Sequence, residues 1–260
     1  MKVIESNTIY ENPLPQLRSR QGFFPNLGEL SDGTLLAVTV VGEAFESVDS
    51  ASYTATSRDG GKTWSEAKFI LGARPTPDKS DMQAHWAFPA VSRSGRIYLF
   101  YYRETGVVDF SRMITGVFAC VYSNDFGDTW SESYDIPLRQ TRFARFGQNQ
   151  NNCCYQIPRR FADGKYLFGY TKMNKCVVDG HKTQDSRVYF VRFENLDDDP
   201  HPKDLKLTNL PDDEDGITVP HRDGLSFVEE PCIAQLPDGR LSVSAGAGFF
   251  TKEKTEKIVA

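Results

Sequence analysis

No stretch of this chain is apolar for long enough to cross a bilayer, and its first residues, Met1-Lys2-Val3-Ile4-Glu5-Ser6-Asn7, lack the apolar core of a secretory signal. The chain as given therefore reads as soluble and cytoplasmic, and as extracellular or periplasmic if a signal has been removed. Cysteine is sparse. Cys120, Cys153, Cys154, Cys176 and Cys232 form no Cys-x-x-Cys pair, and an odd number fits reduced thiols better than a disulfide framework. Neighbouring Cys153 and Cys154 read as strand residues facing opposite sides, so no metal, redox centre or other cofactor is expected. Basic residues are scattered and the formal charge is −5, which argues against a nucleic-acid or membrane surface and leaves a small polar ligand as the expected partner. Helical periodicity is absent throughout.

What the chain has instead is repetition. Ser57-Arg58-Asp59-Gly60-Gly61-Lys62-Thr63-Trp64 and Ser123-Asn124-Asp125-Phe126-Gly127-Asp128-Thr129-Trp130 share the pattern Ser-x-Asp-x-Gly-x-Thr-Trp. In such a box the Asp carboxylate can bond nearby backbone N–H groups, the Gly supplies a positive φ, and the Thr-Trp is expected to enter a strand with a buried indole. Ser57, Asp59, Gly61, Thr63 and Trp64, with Ser123, Asp125, Gly127, Thr129 and Trp130, are thus read as structural.

A second element precedes each box. Phe24-Pro25-Asn26-Leu27 runs to Asp32-Gly33-Thr34-Leu35, and Phe88-Pro89-Ala90-Val91 runs to Ser94-Gly95-Arg96-Ile97. Ile157-Pro158 leads likewise to Asp163-Gly164, and Glu230-Pro231-Cys232-Ile233 to Asp238-Gly239. Four inner hairpins at this spacing predict an all-β fold, a β-propeller with about four blades in this chain. A single domain over 1–260 is expected, with blade units at about 20–80, 81–145, 146–215 and 225–250 and a Lys/Glu-rich tail at 251–260. The acidic stretch from Asp197 through Gly216 reads as a long solvated connection in place of a third box.

Boxes of this form, each preceded by a Pro-containing strand and an Asp-Gly hairpin, resemble the bacterial neuraminidase repeats of the sialidase superfamily. The resemblance covers about residues 20 to 245. It implies a blade set that is six in the family, of which this chain would be a C-terminally truncated member. It also implies retaining exo-sialidase chemistry on a terminal or acidic sugar: an Asp general acid/base, a Tyr nucleophile assisted by a Glu, and three Arg on the substrate carboxylate. Asp81 stands in the place of the Asp and Glu230 in that of the Glu, with Glu229 adjacent. Phe23 stands where the first Arg is expected and Gly246 where the second is, and the third Arg and the Tyr fall outside these residues.

If the first strand of each blade descends to its Asp-Gly turn and the second returns, the boxes lie opposite the ligand face. Lys172 is among the residues placed at that mouth, where Arg20, Gln21, Arg103, Gln150, Tyr155 and Glu229 are read as substrate-binding groups and Asp81, Glu230 and His85 as catalytic ones. A rim rich in carboxylate, amide and guanidinium groups suits a sugar. His85, whose imidazole ordinarily titrates near neutrality, supports an alternative propeller lyase or non-sialic glycosidase. The missing Arg positions favour another alternative, a non-catalytic carbohydrate-binding propeller. The open blade edges are expected to allow self-association.

Overall fold

The computed structural model describes residues 6–12, 21–43, 49–72, 83–107, 115–139, 151–153, 156–178, 181–219, 226–250 and 255–259. Among them, four antiparallel sheets follow one another along the chain. Sheet one is β1 (Gln21–Glu29), β2 (Leu35–Gly42), β3 (Ala51–Ser57) and β4 (Lys68–Gly72). Sheet two is β5 (Ala84–Val91), β6 (Ile97–Val107), β7 (Thr115–Ser123) and β8 (Tyr134–Asp135). In sheet three, β9 (Asn151–Cys153) and β10 (Arg159–Arg160) both pair with β11 (Tyr166–Val178), followed by β12 (His181–Phe193) and β13 (Leu207–Leu210). Sheet four is β14 (Ser226–Gln235), β15 (Leu241–Phe250) and β16 (Thr255–Val259). The segment read from sequence as a tail thus contributes a third strand, β16, which pairs with Gly246–Phe250.

Each hairpin between first and second strand turns at a glycine in the left-handed region: Gly33 (φ 82°), Gly95 (100°), Gly164 (78°) and Gly239 (85°). Asp32, Asp163 and Asp238 each accept the backbone N–H two residues on, which fixes the turn locally.

The core lies between sheets, and strand alternation decides which side each residue joins. On β6, Ile97, Leu99 and Tyr101 pack toward sheet one with Leu36 and Val38, while Tyr98, Phe100 and Tyr102 pack toward sheet three with Tyr166, Phe168 and Tyr170. A third cluster, including Leu167, Val188, Phe190, Val228 and Ile233, joins sheets three and four. The middle cluster is mainly aromatic, with Phe100 and Phe193 centroids 4.7 Å apart and Phe118 and Phe168 5.0 Å apart. Polar bonds reinforce the joints. Asn26 Nδ2 donates to Ala87 O (2.9 Å), and Gln156, nearly fully buried, donates to Ile233 O and accepts from Ile233 N, both at 3.0 Å.

Both boxes form the expected network. Asp59 Oδ1 accepts from Ser57 Oγ (2.8 Å) and Thr63 N (2.9 Å), its Oδ2 accepts from Thr63 Oγ1 (2.6 Å), and Ser57 Oγ accepts from Gly61 N (2.9 Å). Asp125 repeats every bond with Ser123, Gly127 and Thr129. These donors hold both carboxyls near a pKa of about 2, Thr63 and Thr129 being the largest contributors. The tryptophans depart from expectation. Trp64 and Trp130 are half-buried, lie outside any strand, and fold back so that each indole N–H donates to the carbonyl of the box glycine, Gly61 or Gly127, at 3.1 Å. The boxes begin where Ser57 pairs with Leu35 and Ser123 with Ile97, beside the hairpin turns.

The equivalent register point in sheet three is Phe193 opposite Tyr166. The first part of the acidic stretch that follows is not a solvated connection, although Asp212 through Asp215 are exposed. Short 3-10 turns at Leu196–Asp198 and Pro202–Asp204 place Leu196 fully buried, and Asp197 accepts from Arg93 N (3.0 Å), Tyr166 Oη (2.9 Å) and Arg160 Nε (2.8 Å). Asp199 accepts from Ser92 Oγ (2.5 Å) and from Ser94, both in the turn of sheet two. Carboxylates that find this many donors are structural, whatever their density in sequence.

Candidate functional site

The end of the sheets opposite the boxes is built on a repeated distortion of the first strand. Pairing slips between Phe23 and Asn26, between His85 and Phe88, and between Glu229 and Cys232. Within these bulges Phe24 (φ 48°), Trp86 (47°) and Glu230 (58°) occupy the left-handed region that side-chain-bearing residues avoid. Ten positions separate the residue before each bulge from its turn glycine: Phe23 from Gly33, His85 from Gly95, Glu229 from Gly239. Counting this way corrects the repeat as read from prolines. Pro25 and Pro231 are equivalent, but their counterpart in sheet two is Ala87, two residues before Pro89.

The bulge residues lean toward the place where the inner strands converge. Phe24, from sheet one, packs against the cluster between sheets two and three, in which Trp86 is itself buried. Trp86 lies 5.5 Å from Tyr102, ring centroid to centroid. Glu230 takes the same bulge position in sheet four, and it is exposed. Its backbone N–H donates to Thr171 Oγ1 (3.1 Å) of sheet three, and Pro231 presses on Gly169, where an added Cβ would come within 2.9 Å of the ring. The strained backbone is therefore held from the neighbouring sheet, with the carboxylate turned to solvent. Glu229 is committed elsewhere: its Oε1 accepts from the buried Ser186 Oγ at 2.6 Å.

The remaining candidates divide sharply. Gln21 sits at the mouth end of β1, with Nε2 donating to Glu43 O (3.2 Å), and Glu43 N donates in turn to Asp49 Oδ1 (3.0 Å). His85 is not an accessible acid or base. It is 1% exposed, its Nε2 donates to Gln83 Oε1 (3.2 Å), and burial pushes its pKa down to about 4 against the opposing field of Asp49. Arg103 turns outward across β7 to pair with Asp135 on β8. Lys172 is buried, donates to Arg139 O, and lies 5.7 Å above the Tyr189 ring; burial and Arg139 push its pKa down to about 8. Asp81, Arg20, Gln150 and Tyr155 lie outside the described residues.

Sequence reading missed Ser186, Gln83 and Arg139, which hold Glu229, His85 and Lys172 in place. Ser186 and Arg139 act across 43 and 33 positions, where no local pattern marks them, whereas Gln83 stands only two residues before His85. Gly246, the position lacking an expected Arg, stands directly opposite Glu229 in the β14–β15 register, and Phe23 opposite Val40. No group of three or more His, Cys, Asp or Glu side chains suited to a metal occurs among the described residues. No described helix is long and apolar enough to cross a membrane.

No protein-family model matches the sequence, and no curated protein sequence matches it significantly. Solved structures do. The chain is similar to a Hadza microbial sialidase (TM-score 0.57, 15% identity, covering 93% of this chain and 47% of that one). It is similar to the intramolecular trans-sialidase of Ruminococcus gnavus (0.57, 12%, 94% and 72%) and to the α-L-arabinanase of Penicillium chrysogenum (0.51, 17%, 91% and 60%). The chain spans about half the length of the first of these and less than two thirds of the arabinanase. At these identities the likeness concerns architecture, and it covers 91–94% of the chain: four consecutive antiparallel sheets, with almost no helix among the described residues, constitute a sialidase-like β-propeller fold.

Proposed function

We propose that this chain carries the glycosidase half-site of a propeller that cleaves a terminal or acidic sugar. The observation that supports it is Glu230: an exposed carboxylate at a strained bulge, where the two other described bulges carry the aromatic rings of Phe24 and Trp86. In this reading Asp81 donates a proton to the departing glycosidic oxygen and Glu230 is its carboxylate partner across the mouth. Gln21 and the amide-rich rim would bind sugar hydroxyls. Retaining, sialidase-type hydrolysis is the specific form we favour, and an arabinose-directed form is the nearest competitor, since proteins named as arabinanases share the fold.

A non-catalytic carbohydrate-binding propeller is the second reading. It is favoured by the burial of His85 and by the pairing of Arg103 with Asp135 on β8, which leave fewer groups for chemistry. A panel of fluorogenic glycosides including a sialoside, an α-L-arabinofuranoside, neutral hexosides and uronides separates the two. Release of fluorophore that falls at least about a hundredfold in Asp81→Asn and Glu230→Gln supports the glycosidase reading. Sugar binding by calorimetry without release in the folded protein supports the binder, and release unchanged in both variants removes these residues from the mechanism.

A further inference from the structure

In each sheet the second strand brings one residue to the level of the bulges, seven positions after its turn glycine: Val40, Tyr102, Thr171 and Gly246. The pairings Phe23–Val40, His85–Tyr102 and Glu229–Gly246 fix the equivalence in sheets one, two and four. In sheet three Thr171 pairs with Cys153 on one side and Val188 on the other. Of the four residues, Thr171 alone has an oxygen on its Cβ. That oxygen accepts the backbone N–H of Glu230, in the next sheet, at 3.1 Å. The hydroxyl thus occurs at the point of the repeat that faces the bulge bearing a carboxylate, whereas Val40 takes the corresponding place before the Trp86 bulge.

We infer that Thr171 is a positioning residue for Glu230: by taking its N–H, the Thr171 hydroxyl sets the direction in which the Glu230 carboxylate enters the mouth. The angle φ is rotation about the N–Cα bond, so once the N–H is held, φ decides where Cβ points. At 58° it lies in the left-handed region. Pro231 bars the residue before it from the right-handed helical region, which leaves extended backbone as the alternative. Reaching that alternative would swing Cβ by roughly half a turn relative to the N–H. The restraint is stiff. Thr171 is fully buried on a strand paired along both edges, and Pro231 presses on Gly169, two residues earlier on that strand. The preceding residue, Glu229, is tied to the same sheet through Ser186 at 2.6 Å. Sheet three therefore holds the backbone from which sheet four presents its carboxylate. The catalytic consequence rests on the glycosidase reading of Glu230; the orientation of its backbone does not.

Thr171→Val keeps the shape of the side chain and removes the acceptor. On the fluorogenic glycoside that the parent cleaves fastest, it is expected to lower kcat about tenfold to a hundredfold while KM stays within about twofold. Thr171→Ser, which keeps the hydroxyl, is expected to return kcat to within about threefold of the parent. In a Glu230→Gln background Thr171→Val should cost no further turnover, because Thr171 acts through that carboxylate; a merely structural role would add its loss in either background. Crystal structures of the parent and of Thr171→Val give a readout that needs no turnover: residue 230 is expected to leave the left-handed region in the variant. Thr171→Ala, measured in the same ways, takes the place of the valine variant if that one does not fold. A parental kcat in Thr171→Val, a loss confined to KM, or a loss additive with that of Glu230→Gln overturns the positioning role. So does a variant crystal structure in which residue 230 keeps its φ and side-chain direction. If the parent cleaves no glycoside, the glycosidase reading falls, and the crystal structures alone decide whether Thr171 orients residue 230.

Discussion

Glu230 and His85 were both marked as catalytic candidates by their place just before an inner strand, and the structure assigns them opposite fates. The difference is one residue of offset. His85 precedes its bulge and is turned into the protein, while Glu230 lies within its bulge and is turned out. Because Glu230 has a φ of 58°, Glu230→Gly relieves a backbone conformation that costs about 1 kcal/mol. That variant is expected to melt no lower than the parent while losing any glycoside turnover. A lower melting temperature would show that the side chain at 230 stabilises the bulge, and retained turnover would remove its carboxylate from the chemistry. For His85 the folded pKa of about 4 lies below the ordinary 6.5, so the unfolded chain binds the extra proton first as pH falls. Stability contributed by the neutral, buried ring is full above about pH 6.5 and is lost as pH falls toward 4, by an amount on the order of 3 kcal/mol. Thermal melts of the parent and His85→Gln at pH 7 and pH 5 check this: the drop between the two pH values should be smaller in the variant.

At the scale of elements, the legible parts were those whose chemistry is complete within eight residues. The Ser, Asp, Gly and Thr of a Ser-x-Asp-x-Gly-x-Thr-Trp box satisfy one another's hydrogen bonds, so that network was legible, whereas the place of the Trp outside any strand was not. The bulges were not legible, because Pro25 and Pro231 share one position while Pro89 and Pro158 lie two residues later along the repeat. The acidic segment of sheet three was misread for a related reason: Asp197 and Asp199 find their donors about a hundred residues earlier in the chain, at Ser92, Arg93 and Ser94. Asp199→Ala should accordingly destabilise the protein by about 2 kcal/mol in urea titration, where a solvated aspartate would give no measurable change. The box carboxylates predict a further acid effect. Their folded pKa of about 2 means their contribution is intact above about pH 4 and fails as pH falls through 2, so Asp59→Ala and Asp125→Ala should flatten the acid limb of the stability curve.

At the scale of the molecule, each sheet is joined to its neighbour by a layer of side chains and by one or two backbone-directed amides. The pair at Gln156 is the clearest. Gln156→Leu preserves volume but leaves the buried N–H and C=O of Ile233 without their partners, and it should cost about 2–4 kcal/mol. If sheet four unfolds independently of the others, the loss will appear as a new, early transition in urea rather than as a shift of a single one.

The strand β6 is covered on both faces by aromatic and aliphatic layers, with Ile97 through Tyr102 between 0% and 2% exposed, whereas Leu241 and Val243 of β15 stand nearly half open. Contacts in a propeller run only between adjacent sheets, so stability is a sum of local joints and need not be shared evenly. Amide protons should therefore exchange with deuterated solvent in a graded order along the chain. Those of β6 would be released only by the largest opening the molecule undergoes, and those of β15 within the first time points.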